Sequence, residues 1–157
     1  MKELNITLPV VVKGYDELTS DERTLVEAAQ HATAGSYSPY SHFKVGAAIR
    51  LADGSIVTGA NQENAAFPSG TCAERSACFY AGATHPGVAF EAIAIAAIGT
   101  DGKPTAQPTA PCGACRQALL EYEMLAKHPV PVLLAGADEV YIVPSVKALL
   151  PLAFTEF

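Results

Sequence analysis

The sequence predicts an α/β layered domain around a mixed sheet of about five strands. Three observations lead there. Helical and extended patterns follow one another along 157 residues in the order helix, strand, strand, helix, strand, helix, strand, strand, helix. Asp53-Gly54 between two apolar runs is a tight-hairpin signal. Residues 90–98, F-E-A-I-A-I-A-A-I, carry little polarity on either face, as a central strand covered on both sides should.

The elements follow in order, and we read one domain over 1–157 that begins with an N-terminal arm at 1–17. Within the arm, residues 4–12 read as a strand or a loose arm. Thr19-Ser20-Asp21-Glu22 has the form of a capping box with acidic residues in the first turn. Leu25, Val26, Ala28, Ala29 and Ala32 follow at near-helical spacing and Gly35 is a stop, so a helix is expected over 20–34. The turn-rich S-Y-S-P-Y-S-H at 36–42 leads to a strand over 43–51, the hairpin turn at 53–54 and its partner strand over 55–60. Residues 61–70 read as a loop, and a second helix begins at 71 or 72 and runs to about 83. After the strand at 90–98, the proline-rich 100–111 is a loop and 112–127 a helix. Short strands are expected over 130–135 and 139–143, with a last short helix over 145–150 capped by Ser145.

Composition narrows the function classes. Charged residues make up 17% of the chain and hydrophobic ones 50%, against roughly 25% charged in an average soluble domain. So little charge on a small domain implies that other subunits cover part of its surface. The net charge of −6, with no basic stripe, argues against binding a nucleic-acid backbone. No segment approaches the ~18 apolar residues of a membrane helix, so no membrane partner is expected. The N-terminus lacks a secretory pattern, so a cytoplasmic, reducing setting is expected. There, cysteines serve more often as metal ligands or catalysts than as disulfides.

The chemistry-bearing residues sit in two stretches: T-C-A-E-R-S-A at 71–77 and A-P-C-G-A-C-R-Q at 110–117. Cys112 and Cys115 have the spacing that lets both sulfurs reach one metal, and Cys72 would be the third ligand, from the start of another helix. Three protein ligands and one open position describe a catalytic zinc site. Both helix N-termini would aim their positive ends at the thiolates. That matters because three thiolates and Zn²⁺ carry a net negative charge, which Arg75 would help to offset. Glu74, two residues past Cys72, would turn toward the open position, where it could take a proton from the metal's water and pass it to a substrate. A lone C-x-x-C can also be a redox pair, but nothing thioredoxin-like surrounds this one. A structural zinc needs a fourth ligand, and Cys78 lies about 600° around a helix from Cys72, so we read it as a core residue. His31, His42, His85 and His128 fit no ligand spacing.

At these residues the chain resembles the zinc-dependent cytidine deaminases of the small homotetrameric type. The resemblance extends through Y-S-P-Y-S-H-F-K-V-G-A-A at 37–48, G-A-N-Q-E-N-A-A-F at 59–67 and L-L-P-L-A-F at 149–154, and so covers nearly everything from about 20 to 154. It implies a three-layer α-β-α fold and one zinc per subunit, held by Cys72, Cys112 and Cys115, with Glu74 as proton shuttle. It further implies that Asn61 and Glu63 bind the ribose hydroxyls, that Phe43 packs beside the nucleoside and that the Ala73 backbone meets the pyrimidine edge. Arg75 would hydrogen-bond the zinc-bound sulfurs. Phe154 would reach into a neighbouring subunit, so that active sites are shared across a homotetramer. The implied activity is hydrolytic deamination of cytidine and deoxycytidine to uridine and deoxyuridine with release of ammonia, a pyrimidine-salvage reaction on a free nucleoside. Two rivals stand beside it: a related deaminase for a cytosine-bearing antibiotic or modified nucleoside, and a non-catalytic zinc module that binds partners.

Overall fold

Thr19 opens the first helix as the capping box requires: its hydroxyl accepts from the Glu22 N–H at 3.2 Å, and Glu22 Oε2 accepts from the Thr19 N–H at 2.8 Å. The structure, a computed structural model, describes residues 1–155. Helix α1 (Ser20–Ala32) buries Leu25, Val26 and Ala29 and ends in a single 3₁₀ turn, Thr33–Gly35.

Strands β1 (Val11–Gly14), β2 (Lys44–Leu51), β3 (Ile56–Ala60), β4 (Phe90–Ile98), β5 (Val132–Ala135) and β6 (Glu139–Val143) form one sheet in the order β1-β6-β5-β4-β2-β3. All neighbouring pairs are antiparallel except β4 with β5, so the sheet is mixed. Helices α2 (Ala73–Thr84) and α3 (Gly113–Ala126) cover the face opposite α1. The architecture is the expected three-layer α/β one.

β4 shows why the layers hold. Its Ile93 and Ile95 pack under α2 and α3 beside Ile49, Leu119 and Val132, while Ala92, Ala94 and Ala96 meet α1 on the other side. Small residues on that second face let a helix approach closely. Helix α2 sits equally close to the opposite face. A Cβ on Gly59 would lie 2.5 Å from the Ala77 nitrogen and 2.8 Å from the Ala73 carbonyl oxygen, so the missing side chain is what seats α2 against β3.

Two expectations are corrected. The sheet has six strands rather than about five. Four residues of the arm supply the extra one, with Val11 opposite Ile142 and Gly14 opposite Glu139. The outer edge of β6 would otherwise present unpaired backbone groups, and the Lys13–Glu22 ion pair at 2.8 Å anchors the added strand to α1. The expected helix over 145–150 is only a 3₁₀ turn, Lys147–Leu149. Ser145 does cap it, accepting from the Ala148 N–H at 3.1 Å, but Pro151 follows too soon for an α-helix to continue. No helix among the described residues is long and apolar enough to cross a membrane.

Glu123, buried on α3, ties that helix to both ends of the β5–β6 unit. Its Oε2 accepts from the Val130 and Val146 N–H groups at 2.9 and 2.7 Å, and its Oε1 from Lys147 at 3.1 Å. Removing the carboxylate strands these donors. Glu123→Ala is expected to cost about 3 kcal/mol. In a chain of this size that should lower Tm by roughly 6–12 °C in calorimetry.

Candidate metal centre and substrate cavity

The end of β3, the start of β2 and the N-termini of α2 and α3 meet around one cavity of about 390 Å³. Asn61, Glu63, Cys72, Ala73, Glu74 and Cys112 are among the residues lining it. That volume lies within the range of small-molecule sites.

Backbone pairing brings the first cysteine there. Gln62 and Thr71 exchange N–H···O bonds at 2.9 Å, which fixes the chain just ahead of Cys72. Residues 61–63 are held from the other side by Tyr37, which donates to the Asn61 carbonyl at 2.9 Å and accepts from the Glu63 N–H at 2.8 Å. Cys72 is then the N-cap of α2 and Cys112 the N-cap of α3, rather than first helical residues. Both lie in the half-extended position before a turn of free N–H groups. Cys115, one helical turn into α3, is buried.

The three Sγ atoms lie within 4.8 Å of one another, and those of Cys112 and Cys115 are 3.6 Å apart. This is a group that can hold a metal ion. The thiols press on one another electrically. Burial, with Glu74 and Cys72 nearby, pushes the Cys115 thiol up; burial also opposes ionisation of Cys112, but hydrogen bonds from the Cys115 and Ala114 backbone and from the neighbouring thiols bring it below the ordinary value. Cys78 stands apart with no exposed surface, its thiol pushed up to about 12 by burial, and is a core residue as expected.

Glu74 occupies the first turn of α2 and is only 5% exposed. Burial raises its pKa, against the opposing effect of hydrogen bonds from its own backbone N–H and from Cys115 and of the Arg75 charge. Arg75 places Nη2 at 3.7 Å from Cys72 Sγ.

Asn61 and Glu63 line the cavity, but both are also working parts of the frame. Asn61 Oδ1 accepts from the Val45 N–H at 2.8 Å and the Ser36 hydroxyl at 2.6 Å, and its Nδ2 donates to the Phe43 carbonyl at 2.9 Å. One Asn61 amide hydrogen remains for a ligand. Glu63 Oε2 accepts from the Tyr40 and Ser41 N–H groups at 2.9 and 3.2 Å. A hydrogen bond from the Ser41 side chain is the main cause that lowers its pKa below the ordinary carboxylate value. Phe43 is half-buried and Phe154 is 68% exposed, and neither is among the residues lining the cavity of their own chain.

Comparison with known proteins decides the family. Residues 19–128 match the family model described as the cytidine and deoxycytidylate deaminase zinc-binding region. The chain belongs to that family. It is 39% identical over 135 residues to a protein named cytidine deaminase from Halalkalibacterium halodurans, covering 86% of this chain and 95% of the relative. A crystal structure of cytidine deaminase from Burkholderia pseudomallei superimposes with a TM-score of 0.71 at 42% identity, covering 87% of this chain and all of that one. The Mycobacterium tuberculosis cytidine deaminase structure gives a TM-score of 0.69 at 32% identity over 88% of this chain.

The residues present fit the zinc of this deaminase family. Three clustered thiols are a zinc donor set. Arg75 Nε is buried with no hydrogen-bond partner among the described residues. A guanidinium with one unpartnered nitrogen, its Nη2 already against Cys72 Sγ, suits a net-negative thiolate centre beside it. The spacing of the cysteines could not reveal the supports of the site: Ser36 behind Asn61, or Arg116 and Gln117 behind the metal helix. These contacts span 25 to 37 residues of chain and have no local signature. Elemental analysis of the purified protein should find about one zinc per chain. Cys115→Ala should lose most of it, whereas Cys78→Ser should retain it.

Proposed function

We propose that this chain catalyses the hydrolytic deamination of cytidine, and of deoxycytidine, to the corresponding uracil nucleoside and ammonia. The observation that carries the reading is the Glu74 carboxylate, nearly buried, in the same helical turn as Cys72 and lining the cavity that Cys72 and Cys112 also line. An adjacent carboxyl group is what a bystander metal site would not need.

Cys72, Cys112 and Cys115 are the proposed zinc ligands. When bound, zinc supplies Lewis-acid activation of the water that attacks C4 of the pyrimidine. Glu74 carries protons: it takes one from the attacking water and delivers it to N3 as C4 becomes tetrahedral, then takes the second from the new C4 hydroxyl and gives it to the 4-amino group, which leaves as ammonia. A free N–H in the first turn of α2, at Ala73, meets the 2-carbonyl edge of the ring. Arg75 offsets the charge of the thiolates through its contact with Cys72. Asn61 and Glu63 take the ribose hydroxyls, using the amide hydrogen and carboxylate oxygen that the frame leaves over. Phe43, whose carbonyl Asn61 holds, packs beside the sugar and base.

Phe154 acts on a second copy of the chain, within a homotetramer whose sites are shared. Its 68% exposure and its absence from its own chain's cavity lining support that reading. The exposed apolar residues Phe79 and Tyr80 on α2 and Leu125 on α3 support an assembly too. We propose a cytoplasmic setting, because ligand thiols must stay reduced.

Mixing the zinc-loaded protein with cytidine should release ammonia with loss of the cytidine absorbance, and a chelator should stop it. Glu74→Ala should keep its zinc and lose about 10³-fold in kcat. Near-normal turnover in that variant would remove the proton shuttle from the account. Hydrodynamic mass should report four chains.

A further inference from the structure

The turn that ends α1 stands directly behind one wall of the cavity. Gly46 of β2 has no Cβ, and one placed there would lie 2.6 Å from the Thr33 nitrogen, so the end of α1 rests on β2 at close range. From this seat the chain turns. The Ser36 N–H donates to the Thr33 carbonyl at 3.1 Å, and Gln62 Nε2 donates to the Gly35 carbonyl at 2.9 Å. Ser36, half-buried, then faces two oxygens: Ser38 Oγ at 3.2 Å and Asn61 Oδ1 at 2.6 Å. A hydroxyl has one hydrogen, and the shorter contact, to an amide oxygen, takes it. Ser36 does not line the cavity, but Asn61 does.

The Asn61 amide can meet its backbone neighbours only one way round. Val45 presents an N–H to Oδ1 at 2.8 Å, and Phe43 presents a carbonyl to Nδ2 at 2.9 Å. Reversing the amide would set donor against donor and acceptor against acceptor. These two contacts choose the orientation, yet they hold the amide oxygen at one point only. The Ser36 hydroxyl supplies the second point. It takes the other lone pair of Oδ1, so both are occupied and a single N–H is left over. Asn61 can then meet a ligand only as a donor. Fixing the amide before the ligand arrives removes freedom that binding would otherwise have to remove.

We propose that Ser36 is a positioning residue for the sugar: its hydroxyl, brought by the turn after α1, fixes the Asn61 side chain so that the amide offers one N–H, and no open lone pair, to a ribose hydroxyl. This rests on the reading of Asn61 given above. Among the described residues no hydrogen bond joins the Ser36 side chain to the three cysteines or to Glu74; its partners are Ser38 and Asn61. Its effect therefore falls on sugar binding and not on the chemical step. The seat of α1 on β2 and the affinity for the nucleoside are linked through this one hydroxyl.

Steady-state kinetics on the zinc-loaded protein test it, with cytidine as substrate and dideoxycytidine, whose sugar lacks both ring hydroxyls, as its competitor. The variants are Ser36→Ala and Ser36→Cys; a thiol nearly keeps the shape of the side chain but is a weak donor. In the parent, Ki for dideoxycytidine should exceed KM for cytidine by about tenfold or more, since the hydrogen bonds to the ring hydroxyls are missing. Ser36→Ala and Ser36→Cys should each raise KM for cytidine about fivefold, with kcat within about twofold, as loss of one ordering hydrogen bond would give. Ki for dideoxycytidine should stay within about twofold of the parent, because that ligand has no ring hydroxyl for Asn61 to meet. Zinc content and hydrodynamic mass should not change. An equal rise in KM and Ki would overturn the role, since the hydroxyl would then be supporting the cavity as a whole. So would loss of zinc or of the assembly in Ser36→Ala. If KM is unchanged in Ser36→Ala, or Ser36→Cys behaves as the parent, the positioning role is overturned and the parent's preference for cytidine leaves the ribose reading standing. If the parent binds both nucleosides equally, the ribose reading falls and this role falls with it.

Discussion

Gly59 has no side chain, and the backbone of α2 occupies the space where one would stand. The atoms that a Cβ would strike belong to Ala73 and Ala77, and Ala73 is the residue between Cys72 and Glu74. The seat of α2 on β3 therefore sets where the first ligand, the carboxylate and the free N–H groups of that helix end lie relative to Asn61, two residues further along the strand direction. Most of the site inherits its geometry from this one close approach. Side chains at helix ends are mobile in general; here the backbone beneath them is pinned by a sheet whose central strand is covered on both sides.

The second constraint is charge. Three thiols, one buried, one part-buried and one exposed, lie within 4.8 Å of one another beside a nearly buried carboxyl group in a chain of net charge −6. Burial makes two of these groups hold their protons more tightly, the Cys115 thiol and the Glu74 carboxyl, while hydrogen bonds bring the Cys112 thiol below its ordinary value. A divalent cation, two helix N-termini and the Arg75 guanidinium are what make the ionised forms tolerable. That division of labour explains why two of the three cysteines, Cys72 and Cys112, sit at N-caps: the same position that frees backbone N–H groups gives each of these sulfurs a partial positive neighbour.

The parts of this architecture legible in the sequence are those whose cause is local. The capping box at Thr19, the Asp53-Gly54 turn with Gly54 at φ 86° and the two-sided apolar strand all depend on neighbours within a few residues. Strand β1 was not legible as a fixed element, because a four-residue strand forms only where a partner waits, and its partner lies at Ile142 and its neighbours. The cysteines and Glu74 could be grouped from spacing and metal chemistry. Asn61, Glu63, Phe43 and Phe154 could be named only through the resemblance, since as isolated loop and terminal residues they have no pattern. The structural burden on Asn61, with its amide shared between Ser36, Val45 and Phe43, appears only once distant segments are brought together.

The account depends on a metal centre with three sulfurs from this chain and one position left for solvent. X-ray absorption at the zinc edge of the purified holoprotein tests that directly. Three sulfur scatterers and one light oxygen scatterer per zinc are predicted. Four sulfurs would mean a closed structural centre, and the catalytic reading would be contradicted.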